Sequence, residues 1–336
     1  MRTTVSVLVI VLCCALALPS PAPAQKKLAQ TGMKFLNVLP DARAVALGEA
    51  FTAVEGSASS MFYNTSSMAR LKGNASVFVG RTTWIADMSH MYYAASFSPF
   101  GGEYGVIGAF LQYVDYGTFE ETIRASNDRG YVDLGTFKPT GMLFGVGYAR
   151  ALNDKFSVGA NVKYVRQSLG DVTNDLAADG SQLKVSNTTS VFAFDFGILY
   201  HTGYKSLNFG MTVRNFSKEV TYQKEGFQLP LTFRVGVSMN VLDLTDLDPS
   251  MHQFLVVADA EHPRDFPEML RVGGEYTFME ILALRVGYVS SADEYGVSYG
   301  VGVRKDLEGF GLGFDYAYLP FGIFDAVHRF SFQFSL

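Results

Sequence analysis

Five histidines, His90, His201, His252, His262 and His328, are the first residues to test for chemistry. The densest titratable cluster is Asp259, Glu261, His262, Arg264, Asp265 and Glu268. Carboxylates beside an imidazole can exchange protons near neutral pH, which would suit acid–base work at a surface. A hydrolytic centre also needs partners that activate a nucleophile, and none is visible around these residues. The cluster reads instead as a charged outer loop flanking Pro263 and Pro267. No spacing matches a metal site, and no glycine-rich phosphate loop occurs. No catalytic residue, metal ligand or cofactor is expected.

A second set of charges is more informative. Lys163, Asp195, Arg214, Arg234, Arg271, Glu275, Arg285, Arg304 and Asp315 each interrupt a stretch in which apolar residues alternate with polar ones. Phe156, Val158, Ala160, Val162 and Tyr164 alternate with Lys155, Ser157, Gly159, Asn161 and Lys163. Leu231, Phe233, Val235, Val237 and Met239 alternate with Thr232, Arg234, Gly236, Ser238 and Asn240. The chain finishes on Phe330, Phe332, Phe334 and Leu336 against Arg329, Ser331, Gln333 and Ser335. A period of two is a strand with one apolar and one polar face. Two architectures use such faces. A soluble sandwich buries the apolar one; a transmembrane barrel turns it to lipid and the charges inward. In the barrel, the charges either pair to hold a plug or line a polar or anionic permeation path.

Composition favours the barrel. Charged residues are 18% of 336, aromatic residues 14%, and there are 33 glycines and one Trp. A soluble domain carries about 25% charge. The net charge of −5 supplies no basic excess, so nucleic acid is not expected as a partner. Residues 1–24 have one charge, Arg2, then an apolar run from Val5 to Leu18 and the small residues Ala22-Pro23-Ala24. That is a secretory signal peptide with cleavage expected after Ala24. Both cysteines, Cys13 and Cys14, fall inside it, so no disulfide framework remains.

The alternation gives fourteen strands, at 74–83, 88–98, 104–116, 138–151, 155–168, 188–202, 205–217, 229–241, 252–262, 267–278, 281–290, 294–305, 310–319 and 327–336. Most are near ten residues, the length a tilted strand needs to cross hydrocarbon. An even count returns both ends to the periplasm. The three longest connections, 117–137, 169–187 and 218–228, then lie outside. The first carries Glu120, Glu121, Arg124, Asp128 and Arg129, suited to electrostatic contact with a partner.

Residues 32–72 break the pattern. Asp41 can cap a short helix over Ala42–Leu47 and Gly48 can end it. A second turn can start near Asn64. The segment is too small to fold alone, and its expected place is inside the lumen. The domains are therefore a leader over 1–24, an N-terminal hatch over 25–72 and a barrel over 73–336.

The stretch KFLNVLPDARAVALGEAFTAVEGSASSMFYNTSSMARL resembles the N-terminal motif of the PorV/PorQ family, relatives of FadL-type outer-membrane channels. Phe35, Leu36, Ala42, Arg43, Gly48, Ala50, Phe51, Ala53, Tyr63 and Asn64 carry the likeness. Thr65 and Ser66 stand where the family usually has Pro-Ala, and Leu47 where Met or Gly is common. LNDKFSVGANVKYV and FDFGILY further on also look like this family. The resemblance implies an all-β, 14-stranded antiparallel transmembrane β-barrel with an N-terminal hatch, seated in bacterial outer-membrane lipid. It implies a part in type IX secretion, with machinery subunits and cargo bearing C-terminal signal domains as partners. The FadL side of the resemblance implies a channel for a hydrophobic small ligand, with a pocket near Phe35, Phe51, Phe62 and Tyr63. In either case Asp41 or Arg43 is expected to pair with a wall charge.

Overall fold

The computed structural model describes residues 31–176, 182–223, 225–290 and 296–336. The expected leader lies outside the described residues. Fourteen antiparallel strands close into a barrel. They are β1 (Ala75–Thr83), β2 (Ser89–Phe97), β3 (Val106–Asp115), β4 (Thr140–Ala151), β5 (Phe156–Leu176), β6 (Gln182–His201) and β7 (Asn208–Ser217). The second half is β8 (Thr232–Asn240), β9 (His252–Pro263), β10 (Met269–Phe278), β11 (Leu282–Val289), β12 (Val297–Leu307), β13 (Phe310–Pro320) and β14 (Ala326–Ser335). Each strand pairs with its sequence neighbour, and β1 pairs with β14 from Ser76↔Ser335 to Thr83↔His328. Closure leaves no open edge, so every strand can sit in hydrocarbon with its backbone bonds satisfied.

Exposure settles which way the faces point. Leu284 is 61% exposed and Phe192 59%, while Lys163 is 4% and Asp195 3%. Apolar side chains outside and charged ones inside is the reverse of a soluble sandwich. The outer wall must meet lipid.

The structure corrects one boundary. Residues 169–176 and 182–187 are not loop: β5 and β6 run for 21 and 20 residues and stay paired past Ser168↔Thr188, with two register shifts. Beyond the bilayer a hairpin has no lipid face, so apolar alternation stops while backbone pairing continues. The other two long connections also hold hairpins, Phe119–Arg124 with Tyr131–Phe137 and Val220–Tyr222 with Glu225–Phe227.

Residues 31–72 fill the interior. A Cβ added to Gly80 on β1 would meet the Pro40 carbonyl, and one on Gly159 of β5 would meet the Ser66 nitrogen. At Gly210 on β7 it would meet Thr52, and at Gly287 on β11 it would meet Gly48. A segment that touches strands all the way round a closed sheet lies in its lumen. It enters at the end with the long connections, where the Gly32 amide donates to the Gln228 carbonyl at 3.1 Å. It leaves at the short-turn end, where the Asn74 amide donates to the Leu336 carbonyl at 2.5 Å. Along the way it forms an α-helix, Ala42–Ala46, and three 3-10 turns, Lys34–Asn37, Ala58–Phe62 and Thr65–Arg70.

Candidate functional site

The helix Ala42–Ala46 starts where Asp41 accepts from the Arg43 amide at 2.8 Å. Its carboxylate also accepts from Ser59 at 2.7 Å, and the Asp41 amide donates to the Tyr63 hydroxyl at 3.0 Å. Asp41 thus ties the first half of the lumen segment to the second. Arg43 reaches the wall. Its Nε and Nη2 grip Glu275 at 2.8 and 2.6 Å, the bidentate geometry of a strong charge-assisted pair. Glu275 is shared with Arg285 at 2.5 Å, and Arg285 continues to Asp315 at 2.7 Å.

A second charge system centres on a residue that the sequence did not mark. Gly48 and Glu49 both have left-handed backbone, with φ of 66° and 61°. That is natural for Gly48 and strained for Glu49. The turn aims the Glu49 carboxylate at three arginines: Arg271 at 3.1 Å, Arg234 at 3.7 Å and Arg329 at 3.8 Å. Arg234 and Arg271 also share Glu261, at 3.0 and 2.5 Å. The isolated carboxylate behind Gly48 in an otherwise apolar run was the available signal for Glu49. Arg329 stands on the polar face of the last strand and is 1% exposed.

The outer-loop reading of the acidic cluster holds for Arg264, Asp265 and Glu268, which lie between strands, and fails for Asp259 and Glu261. Asp259 and Glu261 belong to β9 and point into the lumen, 2% and 7% exposed. Asp259 accepts from the Phe51 amide at 3.0 Å and from the Thr52 amide and hydroxyl at 3.1 and 2.6 Å. Asp265 is buried against Thr31 and Lys34. Only His262 and Glu268 form an exposed pair, at 3.0 Å. Pro263 ends the strand, and alternation carries Asp259 and Glu261 inward with Ala258 and Ala260 outside them.

The other wall charges divide. Lys163 pairs with Asp195 at 2.6 Å and donates to Asn215 at 2.6 Å. Arg214 donates to the Phe62 carbonyl at 2.8 Å. Arg304 faces cavities at the short-turn end. The second half of the segment docks by shape. Asn64 caps Thr65–Arg70 by accepting from the Ser66 amide, and donates to the Thr52 and Ile198 carbonyls at 2.8 and 2.9 Å. Phe62 sits among Phe110, Tyr92 and Phe78, with ring centroids 4.9, 5.8 and 6.5 Å away. Phe51 packs on Tyr63 at 5.1 Å, and Phe35 and Leu36 join the same core.

At the outer rim the three long connections meet. The Thr173 amide on protruding β5 donates to Glu121. Gln167 donates to the Tyr116 hydroxyl at 2.9 Å and accepts from Tyr222 at 3.1 Å, while Gln223 donates to the Ser186 carbonyl at 3.3 Å. Glu121 is therefore buried at this junction and not displayed to a partner, because its side of the hairpin is pressed on β5. The bond from Thr173 holds its carboxyl below the usual carboxylate range. Glu120, Arg124, Asp128 and Arg129 are exposed. So are Phe119, Tyr131, Val132 and Leu183 beside them.

Comparison with solved structures gives outer-membrane channels of this shape. The toluene transporter TodX of Pseudomonas putida aligns over 92% of this chain and 98% of its own, with a TM-score of 0.58 and 9% identity. The CymD monoaromatic hydrocarbon channel aligns over 88% and 96%, with a TM-score of 0.56 and 11% identity. A FadL homologue from Pseudomonas aeruginosa aligns over 92% and 98%, with a TM-score of 0.52 and 12% identity. At such identities the likeness concerns the fold. Comparison with curated protein sequences gives no match. The family profile described as type IX secretion system protein PorV matches residues 21–248, about two thirds of the sequence. With a FadL-like barrel around a filled lumen, this chain belongs to the PorV family of outer-membrane proteins of type IX secretion.

Proposed function

We propose that this protein serves type IX secretion from the outer membrane as a plugged barrel that binds cargo or machinery through its outer cap. Residues 25–72 act as a hatch that keeps the lumen shut while the rim works. The observation that carries this reading is the cap itself: three connections braced against one another, presenting Phe119, Tyr131 and Leu183 beside Glu120, Arg124, Asp128 and Arg129. Exposed aromatics supply contact area for a partner, and the charges steer encounter and fix register. Machinery subunits and cargo with C-terminal signal domains are the proposed partners.

The second reading, uptake of a hydrophobic small molecule, draws support from the shared barrel shape. It needs room beside Phe35, Phe51, Phe62 and Tyr63. Those side chains are 3%, 3%, 6% and 3% exposed and packed in one core, which favours the first reading.

Affinity capture of the tagged protein from solubilised outer membranes, followed by mass spectrometry, tests both. Secretion subunits or surface proteins with a common C-terminal domain should be recovered. Replacing 119–137 by a short turn should abolish their capture while the barrel still inserts. Unchanged capture by that variant would remove the cap from the mechanism. A barrel recovered alone with an apolar molecule would move the assignment to uptake.

A further inference from the structure

The short-turn end of the lumen holds a polar cavity of about 350 Å3 that the secretion reading does not use. A second cavity of about 420 Å3 adjoins it, and Lys72, Arg304 and Gln333 line both. Most charges around them are already satisfied. Arg43 is bound to Glu275, which Arg285 also holds. Glu55 is bound by His201 at 3.0 Å and Asn208 at 2.8 Å. Arg70 donates to the Asn153 and Asp154 carbonyls at 2.9 and 2.8 Å, so it brings positive charge with no carboxylate partner.

Arg304 stands apart. Among the described residues its guanidinium has no hydrogen bond and no ion pair, and its Nη2 is buried. Every other arginine on the lumen wall named above binds a carboxylate or a carbonyl. Lys72 is exposed at the joint between the cavities and is likewise unpaired among the described residues. Asp306, two residues along β12, lies at the exposed rim of the second cavity and is the one side-chain carboxylate lining it. Glu275 and Asp315 are near enough to act on Arg304 through space, but Arg285 holds both and neither bonds it, and a buried donor left without an acceptor is costly.

We infer that Arg304 and Lys72 form a binding site for a compact oxyanion, a carboxylate or a phosphate group, that enters from the periplasm. The planar fork of Arg304 would take two oxygens of such a group, and the Lys72 ammonium would add a mobile point charge. Glu275 cannot compete, since two arginines hold it in place.

The test is calorimetric titration of the full, detergent-folded barrel with sodium phosphate and, separately, sodium acetate. Ionic strength is fixed with chloride. Saturable binding of at least one is expected, and the anion that binds names the group. Arg304→Gln should weaken it about tenfold or more, the loss of a charged hydrogen-bond donor. Arg304→Lys should fall between that variant and the unchanged protein, since it keeps the charge and loses the fork. Lys72→Gln, at an exposed position with no bonded partner among the described residues, should weaken it measurably and carries the test if Arg304→Gln does not fold. No saturable heat from either anion, equal affinity in Arg304→Gln, or, where that variant does not fold, equal affinity in Lys72→Gln, would overturn the site.

Discussion

The two halves of the lumen segment hold the wall by different physics. Residues 41–49 face β8 to β14 and bind through charge: Arg43 to Glu275, and Glu49 to Arg234, Arg271 and Arg329. Residues 57–68 face β1 to β7 and bind through shape. Met61 lies over Gly108 and Gly147, Ser66 over Gly159, and Phe62 enters a ring cluster. Buried charge pairs are strong while complete and very costly when one partner is removed. Close packing on glycines is short-ranged and fails when a single carbon is added. The same segment is therefore locked on one side by a network and keyed on the other by contour.

Loss of one network member should have the largest effect. Glu261→Gln leaves Arg234 and Arg271 with Glu49 alone as their shared counter-charge, and a broken buried pair costs about 3–5 kcal/mol. The urea midpoint of the folded barrel in detergent should fall accordingly. Combining it with Arg271→Gln should cost less than the two changes summed, since the groups share one network. Strict additivity would mean that the charges act singly.

The contour side is tested at Gly197. A Cβ there meets the Asn64 side chain, so Gly197→Ala should cost about 1–3 kcal/mol by overpacking. Gly313→Ala is the matched control. Its Cβ would meet Gln333 at 3.6 Å and Arg304 at 3.7 Å, ordinary contacts, and the change should be neutral or stabilising by about 0.4–1 kcal/mol. Equal losses in both variants would remove the keyed docking from the comparison.

The smallest effect is expected at the rim, where one carboxylate on the outer hairpin does what networks do inside. The Glu121 carboxyl is held below its usual range by the Thr173 amide. The contact is complete above the usual carboxylate range and is lost as pH falls through the lowered value of the folded protein. Hydrogen-exchange protection of the Thr173 amide should drop over that window and stay flat in Glu121→Gln. Protection that does not change with pH would separate this bond from the bracing of the cap.

The amino-acid sequence by itself determined the barrel. Alternation is local, and membrane thickness sets strand length, so Phe156 to Tyr164 or Leu231 to Met239 could be read without knowing any neighbour. It also displayed the inward charges, because their faces follow from parity. Where the constraint of lipid ended, the reading ended too: β5 and β6 continue past Ser168 and Thr188 with no apolar pattern to announce them. Which charge meets which was decided only in three dimensions. Glu49 and Arg329 are 280 positions apart in sequence and meet because barrel closure brings β14 round to the turn at Gly48. Asp259 and Glu261 changed from a surface cluster to lumen anchors because the strand runs on to Pro263 and parity turns them inward; that they meet Thr52 and Arg271 was again decided by the path of the segment and the strand register. Residue type fixes what a side chain can bind, whereas strand register and the path of the segment through the lumen fix what lies within reach.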